Sequence, residues 1–200
     1  MTPRVTFLVL TEMTPSALQI ISCNRKDYPM NLHTPLTTDI INSLNHGDSI
    51  TLTGEIYTAR DAAHARMFES HKQNESPPFD YNGQVVFYAG PCPAPPCKPI
   101  GSVGPTTAGR MDAYSPGLID AGLKVMIGKG TRSPHVIEAI RKHGGLYLIA
   151  IGGVAALLAK CVKSSEVVAY SDLGTEAIHR LVVEKMPLVV AIDSRGKSIF

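Results

Sequence analysis

The chain has 200 residues, with a hydrophobic fraction of 44%, a charged fraction of 18% and a formal net charge of +2. This composition is typical of one globular domain and excludes an intrinsically disordered chain. The small charge, without basic clusters among aromatic residues, argues against nucleic-acid binding. The longest apolar runs, at residues 154–159 and 188–192, are far shorter than the ~20 residues that cross a bilayer.

The first 29 residues differ in pattern from the rest of the chain. Residues 5–10 are apolar but few, and Glu12 follows them without a small-residue cleavage site, so no secretory signal is expected. Three interpretations stay open for residues 1–29: an extension of uncertain order, a translation start assigned upstream of Met30, or an added edge strand at residues 5–10. The catalytic domain is predicted to span residues 30–200.

Two helices and three strands are predicted in the first half of that domain. Thr34-Pro35 is typical of an N-cap followed by proline at the first helical position, and apolar residues follow it at helical spacing. The next elements are a strand at residues 49–57 with a bulge at Gly54, a helix at 58–69, a strand at 85–89 and a short strand at 100–103.

The second half alternates strands with helices. The predicted strands are at residues 123–127, 146–151, 166–170 and 188–193, and the predicted helices are at 134–143, 154–160 and 175–180. Such alternation favours a buried, largely parallel α/β layer. The fold class is therefore predicted to be α/β.

Four cysteines stand at spacings that are not typical of a zinc site or of a small disulfide scaffold. They are Cys23, Cys92, Cys97 and Cys161. Cys92 and Cys97 flank the sequence P-A-P-P, and whether they pair, or serve a metal or redox role, stays open. Free thiols in a reducing cytosol are the favoured interpretation, which makes the expected location cytoplasmic.

Three glycine-bearing loops follow predicted strands, at residues 104–110, 128–132 and 152–153. Loops at the carboxyl ends of strands in an α/β sheet meet at one edge, where ligands bind. Two of the loops carry a cation, Arg110 and Lys129, beside free backbone N–H groups. Since no phosphate-binding loop or dinucleotide fingerprint is present, the pattern favours a small anion over a nucleotide.

The segment R-D-A-A-H adds a further cation to this picture. Arg60 and His64 lie four residues apart and share one face of the predicted helix, while Asp61 suits the helix start. The pair is either part of the anion site or a solvated helical face, and the segment alone does not decide between them.

Six motifs follow one another along the chain from about residue 30 to 199. They are I-Y-T-A-R-D-A-A-H at 56–64, G-P-T-T-A-G-R-M-D at 104–112, I-G-K-G at 127–130, H-G-G-L-Y-L at 143–148, I-G-G-V-A-A at 151–156 and D-L-G-T-E-A-I at 172–178. In this order and at this spacing they resemble one known family, the class I (iron–sulfur) fumarate hydratases, in their C-terminal domain or β subunit.

The resemblance implies a swivelling β/β/α domain that closes over a second unit carrying an oxygen-sensitive 4Fe-4S cluster. In the family the cluster cysteines lie on that other unit, and the cluster iron acts as a Lewis acid on the substrate hydroxyl. The chain is thus expected to be a β subunit, inactive without its α subunit, in a hetero-oligomer such as (αβ)2. The implied reaction is the reversible hydration of fumarate to (S)-malate.

The resemblance also implies roles for individual residues. Thr106 matches the position that handles the carbon-bound proton, and a neutral threonine needs cations around it to act as a base. Arg110 and Lys129 are expected to stabilise the charge that develops during the reaction. The substrate carboxylates are expected to be bound by Arg60, Thr107, Arg110 and Lys129.

Supporting roles are implied for Asp61 and His64, which place Arg60, and for Gly104, which opens the loop of residues 104–112. Two alternatives remain. L(+)-tartrate dehydratase β subunits share the G-P-T-T and G-K-G elements, although the A-G-R-M-D continuation favours fumarate hydratase. A non-catalytic anion-binding module would use the same loops without turnover.

Overall fold

The computed structural model describes residues 29–150 and 155–200. The interpretations offered for residues 1–28, and the glycine loop at 151–154, lie outside the described residues. None of the helices in the described ranges has the length and apolar character needed to cross a membrane.

Within the described residues, the domain is built on a seven-stranded sheet with five α-helices. The strands are β1 Met30–His33, β2 Ser49–Thr58, β3 Val85–Phe87, β4 Val125–Gly128, β5 Leu146–Ile149, β6 Val162–Ala169 and β7 Ile178–Ile192. The helices are α1 Thr38–Ser43, α2 Asp61–Lys72, α3 Ser115–Asp120, α4 Pro134–His143 and α5 Ala155–Cys161. Two 3₁₀ helices, Ala108–Met111 and Ser171–Glu176, carry residues that matter below.

The sheet closes into a barrel-like ring. Strands β1 to β5 lie parallel in the order of the chain, which agrees with the largely parallel layer predicted from the second half, whereas β1 was not predicted. The 15-residue strand β7 then pairs antiparallel with β5, β2 and β6. Its pairing with both β2 and β5 closes the ring. The predicted α/β class is confirmed, whereas the closure of the sheet was not predicted.

Two hydrophobic cores lie on the two faces of this sheet. One contains alternate residues from every strand of the ring, such as Val85 and Phe87 on β3. The other packs the intervening residues, such as Val86 and Tyr88, against α2, α3 and α4. Because strand side chains alternate between faces, a short strand such as β3 contributes to both cores and is buried throughout.

Three sequence predictions are wrong, the first because of a contact distant in sequence and the other two because of the course of the nearby backbone. The helix start is at Thr37, whose hydroxyl caps Ile40 N–H, and not at Thr34, whose own N–H donates to Thr53 on β2. Residues 100–103 form a loop, held where Gly101 N–H donates to the carbonyl of Cys92.

The predicted helix at residues 175–180 is the third. The 3₁₀ helix ends at Glu176 after a left-handed glycine, Gly174 (φ 58°), and β7 begins at Ile178. The predicted strand at 188–193 is therefore the end of a longer one. By contrast, the bulge at Gly54 is confirmed by a register shift between β2 and β7.

Candidate functional site

The loop of residues 104–110 and the loop after β4 are hydrogen-bonded to one another. Thr106 N–H donates to the carbonyl of Tyr88 at 2.6 Å, and Lys129 N–H donates to the carbonyl of Thr106 at 3.2 Å. Ala108 N–H donates to the carbonyl of Lys129 at 2.9 Å, so Thr107 and Lys129 form a parallel β-bridge. The backbone therefore places Thr106, Thr107 and Lys129 together, as the sequence predicted.

Glycine permits this close approach of the two loops. A Cβ atom added at Gly128 would lie 3.0 Å from the Tyr88 ring and 3.1 Å from Ala108 Cβ, so these neighbours would have to move by a few tenths of an ångström. Gly130, on the other side of Lys129, has a φ of 78° that favours glycine. The Tyr147 hydroxyl donates to the Gly130 carbonyl at 2.9 Å, and burial raises the pKa of Tyr147, so the phenol keeps its proton.

Gly104, predicted to be a supporting residue, packs against the first residue of α5. A Cβ atom at Gly104 would stand 2.9 Å from the methyl group of Ala155. Val103 N–H also donates to the carbonyl of Ala155 at 3.4 Å. Any larger residue at 104 would push the loop away from α5, which agrees with the supporting role.

A second group of predicted residues gathers at the start of α2. Arg110, on the 3₁₀ helix Ala108–Met111, donates from Nε to Asp61 Oδ1 at 2.8 Å, and its Nη2 lies 2.8 Å from Oδ2 in an ion pair. Arg60 Nε lies 3.6 Å from the same carboxylate. Since Thr107 and Arg110 are three residues apart, the 3₁₀ helix joins this group to the Thr106–Lys129 bridge.

Glu176 completes that group, and the sequence assigned it no role. Its Oε1 accepts from Arg60 Nη2 at 2.8 Å, and its Oε2 accepts from Ala62 N–H at 2.8 Å. The motif D-L-G-T-E-A-I contains Glu176, but the partner lies more than a hundred residues earlier in the chain. A local pattern therefore had no means of pairing the two.

His64 is buried, so the solvated-face interpretation of the Arg60–His64 pair is wrong for this residue. Its Nδ1 lies 3.2 Å from the carbonyl of Arg60, and because a carbonyl only accepts, Nδ1 carries the proton. The imidazole meets the edge of Tyr88, with ring centroids 4.9 Å apart. Burial lowers the pKa of His64 to about 4, so the ring is neutral near pH 7 and supports the turn at Arg60.

Beneath the two loops lies a buried arginine, Arg132, which sequence analysis placed only at the end of a glycine loop. Its Nε donates to Asp112 at 2.7 Å, and its Nη2 donates to Ser115 Oγ at 2.6 Å. The second Asp112 oxygen accepts from Ser133 N–H at 2.6 Å. The guanidinium also lies between the rings of Tyr88 and Tyr147. We call Arg132, Asp112 and Ser115 the buried brace.

The predicted anion-binding groups form an open face above this brace. Thr107 and Lys129 are exposed, Thr106 is half-buried, and the Arg110 side chain is 52% exposed. We call Arg60, Thr106, Thr107, Arg110 and Lys129 the open face. Two of its three cations, Arg60 and Arg110, pair with Asp61 and Glu176, and the three cations and two carboxylates together carry a net charge of +1, which favours an anionic ligand.

The described residues provide no ligand set for a metal centre. In residues 29–150 and 155–200 no group of three or more histidine, cysteine, aspartate or glutamate side chains is placed to hold a metal ion. Cys92 and Cys97 are exposed free thiols, and Cys161 is a half-buried one. Cys23 lies outside the described residues. A 4Fe-4S cluster does not fit the thiols that this structure places.

Comparison with known proteins gives a consistent family. The family model described as fumarase C-terminus matches residues 9–200. The class I anaerobic fumarate hydratase of Escherichia coli is 44% identical over 153 residues, and the mitochondrial fumarate hydratase 1 of Leishmania major is 43% identical over 157. Each alignment covers 76% of this chain and 28% of the relative, so the chain spans little more than a quarter of those proteins.

One relative is similar in length to the chain. A protein of Methanocaldococcus jannaschii named "Putative L(+)-tartrate dehydratase subunit beta" is 39% identical over 175 residues. That alignment covers 82% of this chain and 88% of the relative.

Proposed function

The chain belongs to the fumarase C-terminus family, and on that premise we propose that it is the β subunit of a heteromeric class I fumarate hydratase. The proposed reaction is the reversible hydration of fumarate to (S)-malate. The observation that carries the proposal is the β-bridge between Thr107 and Lys129, which joins the G-P-T-T and G-K-G loops. Thr107 is the N-cap of the 3₁₀ helix that carries Arg110, so the bridge and this arginine belong to one short segment.

The open face suits a substrate with two carboxylates. Arginine can bind a carboxylate through two parallel hydrogen bonds, and Arg110 already makes one hydrogen bond and an ion pair with Asp61. Because that pair is half-exposed, a substrate carboxylate can reach the same guanidinium. Lys129 and Thr107 project from the adjoining bridge and supply donors for the second carboxylate.

Thr106 is the proposed group for the carbon-bound proton. Its backbone is fixed at both ends, by the carbonyl of Tyr88 and by the N–H of Lys129. Removal of a proton beside a carboxylate leaves extra charge on that carboxylate, and nearby cations stabilise it. Arg110 and Lys129 therefore serve both to bind the substrate and to favour the proton transfer to Thr106.

The partner in this proposal is an α subunit that carries the 4Fe-4S cluster and covers the open face. Enzymes exclude water from charged intermediates, and an exposed set of cations does not do so alone. A second subunit seated on Thr107, Arg110 and Lys129 would close the site. The chain alone is accordingly expected to be inactive.

A second candidate is the β subunit of an L(+)-tartrate dehydratase, because the relative of that name aligns over most of both chains. Tartrate differs from malate by one hydroxyl group, so the same cations would serve both substrates. A non-catalytic anion-binding module is the remaining alternative.

Anaerobic co-expression of the chain with its α subunit tests these proposals together. Once the cluster is verified spectroscopically, fumarate hydration is followed by absorbance and L(+)-tartrate dehydration is assayed in parallel. Preferential turnover of fumarate supports the first proposal, and preferential turnover of tartrate supports the second. A cluster-loaded pair that turns over neither substrate contradicts both.

A further inference from the structure

We propose that Glu176 is a positioning residue that sets the place of Arg60 in the site; this rests on the proposed function, in which Arg60 binds a substrate carboxylate. The helix α2 begins without a side-chain cap of its own. Glu176 supplies that cap from the distant 3₁₀ helix Ser171–Glu176, through its bond from Ala62 N–H. One carboxylate therefore fixes both the start of the helix and the guanidinium of Arg60.

The surroundings of Arg60 leave its side chain little freedom. A Cβ atom added at Gly90 would lie 3.0 Å from Arg60 Nη1 and 2.8 Å from the carbonyl of Thr175. The guanidinium is thus held between the bare backbone at Gly90 and the carboxylate of Glu176. The Arg60 side chain is only 29% exposed and is bound to Glu176, so its guanidinium has a fixed position when a ligand arrives.

The segment before Glu176 is shaped for this contact. Gly174 adopts a φ of 58° inside the 3₁₀ helix, which turns the chain toward α2. Asp172, two residues earlier, pairs with Arg66 through both carboxylate oxygens at 2.8 Å. That second pair joins the same two segments, but Arg66 lies six residues after Arg60 on α2. The Asp172 side chain is 63% exposed.

Asp172 provides a matched control. Asp172→Asn removes an ion pair between the same two segments without touching Arg60, whereas Glu176→Gln removes the charge beside Arg60 and keeps the side-chain size. Arg60 would hold the substrate carboxylate in the ground state and the transition state alike. Its misplacement therefore raises KM and leaves kcat nearly unchanged.

The experiment measures kcat and KM of the cluster-loaded α–β pair with wild-type, Glu176→Gln and Asp172→Asn β subunits. The expected result is a KM raised about 10-fold in Glu176→Gln, and within twofold of wild type in Asp172→Asn. An unchanged KM in Glu176→Gln overturns the inference. A lowered KM also overturns it, because Glu176 would then compete with the substrate for Arg60. A fall in kcat alone indicates a merely structural role and overturns it as well.

A readout without turnover separates this inference from the proposed function. In the ¹⁵N-labelled β chain, the Ala62 amide is expected to lose protection from hydrogen exchange in Glu176→Ala, which removes both acceptor oxygens, and to keep it in Asp172→Asn. If the wild-type pair turned over neither substrate, the proposed function would fall, whereas the Ala62 amide would still report the contact. Unchanged Ala62 protection in Glu176→Ala would overturn the positioning role whatever the activity.

Discussion

Arg110 and Arg132 each pair with an aspartate at the same edge of the sheet, but in different surroundings. Arg110 binds both oxygens of Asp61 on the open face. The Arg132 side chain is fully buried and binds Asp112 at 2.7 Å, with Ser115 and two tyrosine rings around it. Both pairs join a guanidinium to a carboxylate, and they differ in how far solvent reaches them.

This difference separates the residues that can exchange partners from those that hold the fold. An exposed ion pair contributes about 0 to 1 kcal/mol to stability, so Arg110 loses little when a ligand carboxylate replaces Asp61. Removing one member of a buried pair costs about 3 to 5 kcal/mol, because the other charge is left without compensation. The open face is therefore available for binding, and the buried brace keeps the loops in place.

The largest expected effect is on stability and comes from the brace. Arg132→Met should lower the free energy of unfolding by about 3 to 5 kcal/mol, since Asp112 would be buried without its cation. Arg110→Met should lower it by less than about 1 kcal/mol. Urea denaturation of the chain measures both values. Equal losses in the two variants would remove the distinction between the two pairs.

The next largest effect is on turnover, and it is expected from a change at Thr106 that does not alter stability. Thr106→Ala should lower kcat by about 10² to 10³-fold, equal to roughly 3 to 4 kcal/mol, because the proposed proton acceptor is lost. Substrate binding and the melting temperature should stay close to wild type. Thr131→Ala, in the exposed loop after Lys129, is the matched control and should keep its turnover. Wild-type kcat in the Thr106 variant would rule out its role as a base.

A pH dependence of stability is expected from His64, on the buried side. Burial lowers its pKa from 6.5 to about 4, so between these values the unfolded chain binds a proton that the folded chain does not. The contribution of His64 to the free energy of unfolding is therefore fully present above pH 6.5. It decreases as the pH falls toward 4, by about 3 kcal/mol in total. Denaturation at pH 7.5, 5.5 and 4.5 measures the slope.

The variant His64→Gln should lose this acid-side slope, since the amide does not titrate. His135→Gln is the control, because His135 is exposed on α4 and should leave the slope intact. The same slope in wild type and His64→Gln would assign the pH dependence to another group.

The elements that the sequence predicted well are those with a strong local signal. The strands β3 to β5 and the helix α4 have apolar runs or an amphipathic face, bounded by glycine or proline. The strand β7 was predicted only at its C-terminal end, because its other half pairs with β2 and β6 through contacts distant in sequence. Closure of the ring depends on that strand and was missed with it.

The site divides in the same way. Lys129 lies directly after the end of β4, where the rule that loops after parallel strands meet at one edge places it. Thr106 and Thr107 follow a loop and not the predicted strand, and hydrogen bonds to Tyr88 and Lys129 bring them to the same edge. Arg132 and Glu176 were not anticipated for physical reasons. Arginine is rarely buried, so nothing local marks Arg132 as interior. Glu176 acquires its role only from a partner that tertiary folding brings to it.

The smallest expected effect returns to the exposed pair. Arg110→Ala should lower kcat/KM by about 10 to 100-fold, roughly 1.5 to 3 kcal/mol, which is the usual contribution of a hydrogen bond to a charged group. Arg66→Ala is the matched control, because Arg66 is also paired with an aspartate, Asp172, and also lies partly exposed. If both variants kept the wild-type kcat/KM, Arg110 would have no part in substrate binding. A loss confined to Arg110 means that the open face binds the substrate, since both arginines are exposed and paired but lie at different places on the surface.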